Sequence, residues 1–122
     1  MRYLPLACAA LLSAQAFFAF FAHAGDAARG KQLYESRCIG CHSIDENRAG
    51  PAHKGVFGRK AGFAKGYDYS DALKKSKLIW NERTLDRWLA DPESTIAGQK
   101  MGFTVPDHTD RADIIEYLRT AK

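Results

Sequence analysis

The run Cys38-Ile39-Gly40-Cys41-His42 constrains this chain more than any other feature of its sequence. Cys-x-x-Cys spacing at the end of a helix puts both sulfurs on one face, where they can form thioether bonds to the two vinyl groups of one heme. The adjacent His42 is then carried under the macrocycle, where its imidazole can ligate the iron. Attachment and proximal ligand are specified together. Two other chemistries share these residues. A thiol-disulfide centre belongs at the start of a helix that follows a strand, and no β-α-β pattern precedes Cys38. A zinc site would recruit Cys38, Cys41 and two of His42, His53 and His108, yet such sites normally pair two separated clusters, and the chain holds one. The pattern favours heme over both.

The second axial position is approached through composition. The chain has 2 methionines, of which one is the initiator. The other, Met101, lies in Ile96-Ala97-Gly98-Gln99-Lys100-Met101-Gly102-Phe103, a glycine-bounded loop after Pro92 that could bring a thioether to the far side of the iron. A lone methionine is more often core filler. The loop and the Cys-x-x-Cys-His run reverse that expectation. A neutral soft sulfur favours Fe(II), so His/Met ligation raises the reduction potential relative to two histidines. A bis-histidine site using His53 or His108 is the alternative.

Composition bounds the rest. With 122 residues, 46% hydrophobic and 26% charged, the chain has the proportions of one compact globular domain, which excludes collagen, disordered tails and multidomain enzymes. Its 3 cysteines are too few for a disulfide-stapled mini-protein. The uncharged run Leu4 to Phe21, followed by Ala22-His23-Ala24, has the form of a secretory signal, so residues 1–24 are expected to be cleaved and 25–122 to form the mature domain. An uncleaved anchor is the rival, although Pro5, Ser13 and Gln15 dilute the run. Cys8 would leave with the signal. The formal net charge of +4 falls by one with Arg2, and only Lys74-Lys75-Ser76-Lys77 concentrates basic residues. No aromatic platform accompanies that run, so nucleic acid is not an expected partner.

Asp26 is expected to cap a first helix running to about Cys41, with Ala27, Gly30 and Tyr34 on its inner face. Residues 43–68 carry Gly50, Pro51, Gly55, Gly58, Gly62 and Gly66 with no sustained period and read as long loops. A short helix follows Ser70-Asp71. Asn81 caps another through Leu85, Trp88 and Leu89 until Pro92 stops it, and a last helix from Thr109 or Asp110 presents Ile114, Tyr117 and Leu118. Nothing alternates with period two. The expected fold is all-α, short helices and long loops in one domain.

In order along the chain, Gly-Lys-x-Leu-Tyr at 30–34, the Cys-x-x-Cys-His run, Gly50-Pro51, Gly55-Val56-Phe57-Gly58-Arg59-Lys60-Ala61-Gly62, Tyr67-x-Tyr69-Ser70-Asp71-Ala72, Trp80, Leu85, Asp91-Pro92 and Gly98-x-Lys100-Met101 resemble class I cytochrome c. The resemblance spans essentially all of residues 25–122. It implies the small cytochrome c fold, wrapped around one covalently bound heme c attached at Cys38 and Cys41 and ligated by His42 and Met101. It implies that the Pro51 carbonyl accepts a hydrogen bond from the ligand imidazole. It places Arg59, Tyr69, Trp80 and Gln99 around the heme propionates, Trp88 beside the distal sulfur, and Gly30, Tyr34, Ile114 and Tyr117 at a crossing of the first and last helices. Without the heme motif, the aromatics would read as core and Arg59 as an exposed loop charge.

With both axial positions filled, the remaining chemistry is outer-sphere transfer of one electron at a time, so the chain is expected to be a carrier and not an enzyme. Implied partners are redox proteins: a quinol-cytochrome c reductase complex, a terminal oxidase, a peroxidase, a photosynthetic reaction centre or a periplasmic dehydrogenase. Membranes would be met only through transient docking, and a monomer is expected. The signal places the protein in a bacterial periplasm. Two departures stand out. His53 occupies a position where the family pattern has leucine, and Glu93-Ser94 stands where mitochondrial members carry lysines, which weakens a basic docking face.

Overall fold

The computed structural model of the chain describes residues 24–122; the expected signal therefore lies, Ala24 excepted, outside the described residues. Helices α1 (Ala27–Arg37), α2 (Asp71–Lys75), α3 (Glu82–Ala90), α4 (Pro92–Thr95) and α5 (His108–Thr120) are joined by loops, with one isolated antiparallel bridge between Lys60 and Ile79. The all-α expectation holds. Each start is set locally. Asp26 accepts from the Ala28 and Arg29 amides, the Ser70 side chain accepts from Leu73, Asn81 and Thr84 form a reciprocal box, and Asp107 accepts from Asp110.

Three boundaries differ from the sequence reading. Helix α1 stops at Arg37 with Cys38 as its C-cap, so the Cys-x-x-Cys-His run is a turn beyond the helix. That turn keeps helical spacing, since the Cys41 and His42 amides donate to the Cys38 carbonyl at 3.1 and 2.9 Å. The chain then leaves the helical path because the Cys41 carbonyl is taken at 2.7 Å by the Gly50 amide. Pro92 ends α3 as expected but also opens α4, the N1 position where a missing N–H costs nothing. Helix α5 begins at His108, slightly earlier than Thr109.

Helices α1 and α5 cross where a side chain at Gly30 would collide with the Asp113 carbonyl, which lets the two backbones touch. Tyr34 from α1 and Ile114, Ile115 and Leu118 from α5 bury the crossing. Helix α3 packs on α5 and sends Leu85 and Leu89 into the same core. Burying a side chain of this size contributes about 1.5–3 kcal/mol. The long loop is pinned to this frame by backbone bonds. It first folds on itself, the His53 and Lys54 amides donating to the Ser43 and Ile44 carbonyls at 3.0 and 2.8 Å, and the Gly55 amide then ties it to the Ala121 carbonyl after α5 at 2.6 Å. Further on, Gly58 and Ala61 donate to the Trp80 and Leu78 carbonyls at 2.6 and 2.8 Å. At Gly62 φ is +79°, and a Cβ there would stand 2.5 Å from the Leu73 carbonyl oxygen, so only glycine fits beneath α2.

Candidate metal centre

His42 is held on several sides by backbone. Its Nδ1 donates to the Pro51 carbonyl at 2.8 Å, which leaves Nε2 unprotonated and available as a ligand. A Cβ at Gly50 would stand 2.6 and 2.7 Å from the two ring nitrogens, so only glycine lets the loop close on the imidazole. Burial holds the His42 pKa below the ordinary histidine value, against the pull of the Pro51 bond, and keeps the ring neutral as ligation requires.

Cys38 and Cys41 are free thiols bracketing the same turn, the first half-buried and the second exposed. Burial pushes the Cys38 thiol up to about 11, against the pull of Arg37. A thiol-disulfide enzyme needs the opposite, a depressed pKa that exposes thiolate. The zinc alternative also fails on geometry. Among the described residues no group of three or more His, Cys, Asp or Glu side chains converges as a metal site. His108 sits exposed at the start of α5.

His53 does not face His42 across a metal. The two rings stack with centroids 4.1 Å apart and planes 21° from parallel, and the His53 Nδ1 lies 2.9 Å from the Tyr34 hydroxyl. Two imidazoles stacked face to face cannot take opposite positions on one ion. Burial, followed by the His42 and Arg59 charges, pushes His53 down to about 3. His53 is therefore a neutral wall and not a distal ligand.

Met101 is half-buried and packs against the hydrophobic core together with Trp88. Its amide donates to the Gln99 side-chain oxygen, while the Gln99 amide donates to Glu93 at 3.2 Å. Gln99 thus braces the methionine loop against α4. Trp88 meets Trp80 edge-on at 5.2 Å. The buried Tyr69 hydroxyl accepts from the Ala64 amide at 2.9 Å. Arg59 donates to the Lys54 and Ala52 carbonyls, both at 3.0 Å, and its Nε is buried without a partner. A buried guanidinium N–H facing nothing is the donor that a carboxylate would satisfy.

Sequence reasoning missed the polar struts of the loop. Tyr67 donates its hydroxyl to the Ala49 carbonyl at 2.6 Å and meets Tyr69 edge-on at 4.8 Å. Asn47 accepts from Ala52 and donates to Lys65, both at 2.9 Å. Only the Tyr67-x-Tyr69 pairing hinted at the first, and nothing local marks Asn47.

The decisive observation is a match to the cytochrome c family model over residues 27–122. The chain belongs to the cytochrome c family. It is 44% identical over 101 residues to cytochrome c of Euglena viridis, covering 80% of this chain and 99% of that protein. Cytochrome c2 of Rhodopila globiformis is 42% identical, with 80% and 95% covered. Among solved structures, cytochrome cH from Methylobacterium extorquens superposes with a TM-score of 0.75 at 48% identity, covering 79% of this chain and 99% of that one. As a cytochrome c, the chain has an electron-carrier role, a covalently bound heme c and redox proteins as its partners. The donor set described above fits that group: two thiols on one turn, a neutral imidazole with one nitrogen free, a thioether in a braced loop and an unpaired buried arginine N–H.

Proposed function

We propose that this cytochrome c is a periplasmic carrier, delivered by the segment 1–24, that moves one electron at a time between respiratory or photosynthetic redox partners. Cys38 and Cys41 hold the heme by thioether bonds, and His42 and Met101 ligate its iron. The observation that carries the reading is the His42–Pro51 hydrogen bond of 2.8 Å on a ring that the Gly50 backbone confines.

When bound, the heme supplies a one-electron couple. The protein's part is to keep everything else still. Pro51 is a carbonyl acceptor that cannot take a proton, so the His42 Nδ1 proton stays in place in both oxidation states. Gln99 and Glu93 tie the Met101 segment to α4, which limits movement of the thioether. Arg59 offers its unpaired Nε to a propionate; the Trp80 amide donates to the Arg59 carbonyl at 2.9 Å, and Trp80 and Tyr69 are both buried. Trp88, half-buried against Trp80, is on this reading the aromatic residue beside the distal sulfur. The secretory form of residues 1–24 supports the periplasm, and residues 25–122 are the mature domain on this reading. Among the described residues no helix is long and apolar enough to cross a membrane.

The visible spectrum of oxidised and reduced protein tests the ligand set. A low-spin c-type spectrum with a far-red sulfur-to-iron band is expected, and Met101→Ala should abolish the band and lower the reduction potential. A wild-type spectrum without the band, or a band that survives Met101→Ala, contradicts Met101 ligation. The location is tested by the amino-terminal residue of protein recovered from the periplasmic fraction of a producing bacterium, which is expected to be Gly25.

A further inference from the structure

His53 replaces the leucine of the family pattern with a flat, polar ring, and its surroundings show a built arrangement. Its backbone is fixed on both sides, since the His53 amide donates to Ser43 at 3.0 Å and its carbonyl accepts from Val56 at 2.9 Å. Its ring is fixed by Tyr34, whose hydroxyl lies 2.9 Å from Nδ1 and whose ring meets it edge-on at 5.6 Å. Tyr34 is itself only 2% exposed and leans on Tyr117 from α5, with centroids 5.3 Å apart. The free face of His53 lies on His42 at 4.1 Å, 21° from parallel.

Pro51 fixes where the His42 Nδ1 points and the Gly50 backbone crowds the ring near Cε1, while His53 is the aromatic plane stacked on it. Two stacked planes resist rotation of either ring about its Cβ–Cγ bond, whereas the branched methyls of a leucine would meet an imidazole as knobs. We propose that His53 is a positioning residue which, locked by the Tyr34 hydroxyl, sets the ring orientation of the ligand His42 and ties it to the α1–α5 crossing. This rests on the reading above that His42 ligates the heme iron.

The test is the proton NMR spectrum of the oxidised holoprotein, in which the hyperfine-shifted heme methyl resonances report the orientations of the His42 ring and of the Met101 thioether. His53→Leu is expected to change the order or spread of these resonances while the far-red Met101 band is retained. Tyr34→Phe removes only the hydroxyl and should move them in the same sense by a smaller amount, and it serves alone if His53→Leu does not assemble. Methyl resonances unchanged in the variant that assembles would overturn the proposal, even if that variant melts earlier, because lost packing alone lowers stability without turning the ligand. If the wild-type His42 ring protons carry no hyperfine shift, His42 is not a ligand, and the functional reading fails along with the proposal. Shifted wild-type protons with indifferent variants reject the positioning role alone.

Discussion

At Gly50 the His42 ring and the loop backbone occupy space that any other residue would need. A Cβ would stand 2.6 Å from Nδ1 and 2.7 Å from Nε2, inside van der Waals contact, and both neighbours are fixed by the bond to Pro51. Gly50→Ala must therefore push the imidazole off that carbonyl or open the loop. Overpacking of this kind costs about 1–3 kcal/mol, and guanidinium unfolding of the holoprotein should show the midpoint fall accordingly. An unchanged midpoint would mean that the ring has room to move. The importance of Cys38, Cys41 and His42 was legible from adjacency alone, and that of Pro51 through resemblance. The partners of Tyr67 and Asn47 were not, because a hydrogen bond between residues 18 apart depends on the path of the whole loop. His53 was visible as a departure from a pattern, but its stacking on His42 was visible only in three dimensions.

The elements were legible where their signals are local. Asp26, Ser70 and Asn81 each accept from an amide two or three residues on, so the starts of α1, α2 and α3 follow from a few neighbouring residues. The end of α1 was misplaced because the turn after Arg37 imitates the helix, the Cys41 and His42 amides both donating to the Cys38 carbonyl, so sequence spacing alone does not separate the two. Between α1 and α5, Arg29 bonds both Asp110 and Asp113, and Arg37 pairs with Asp110 at 2.8 Å. Arg29 holds the Asp110 carboxyl below its ordinary range. At Asp113 burial pushes upward, but the Asp26 amide and Arg29 outweigh it and the carboxyl again lies low. Depressed folded-state values mean that both groups stabilise the fold above the unfolded value of about 3.9 and lose that contribution as pH falls through the folded values. The Tm gap between wild type and Asp113→Asn should be widest above about pH 5 and close toward about pH 2. A gap independent of pH would assign the effect to lost packing. In the same first turns of α5, Arg111 donates to the Val105 and Pro106 carbonyls at 3.0 and 2.7 Å and to Asp86 at 2.7 Å, anchoring the segment that follows Met101. Removing one partner from a buried pair costs about 3–5 kcal/mol, and Asp86 is partly solvated, so about 3 is expected for Arg111→Ala. The far-red band should then fade at lower denaturant than the helical signal, whereas coincident transitions would show that the loop has no separate anchor.

For the whole molecule, the all-α class and the helix order were legible, yet no property of residues 43–69 taken alone says what so long a loop packs against. Its internal backbone bonds are isolated turns and a short pairing of His53 and Lys54 with Ser43 and Ile44, and its backbone is tied to the rest of the chain through Cys41, Trp80, Leu78 and Ala121, so it has little regular structure of its own to fall back on. A domain of this size buries only between about 60% and 70% of its unfolded surface, and a large apolar cofactor makes up part of the shortfall. Helices α1 and α5, at 11 and 13 residues, do not compensate, since isolated helices of about 12–15 residues are marginal in water. The holoprotein should accordingly be a folding unit of chain and heme together. A Cys38→Ala, Cys41→Ala chain without heme is expected to lose most of its far-ultraviolet helical signal and to unfold without a cooperative transition. The α1–α5 crossing, with Gly30 against Asp113 and Tyr34 beneath Ile114, would account for whatever helicity survives. A heme-free chain with the ellipticity and sharp melting of the holoprotein would place the stability in the helices and leave the loop's packing partner to be sought elsewhere.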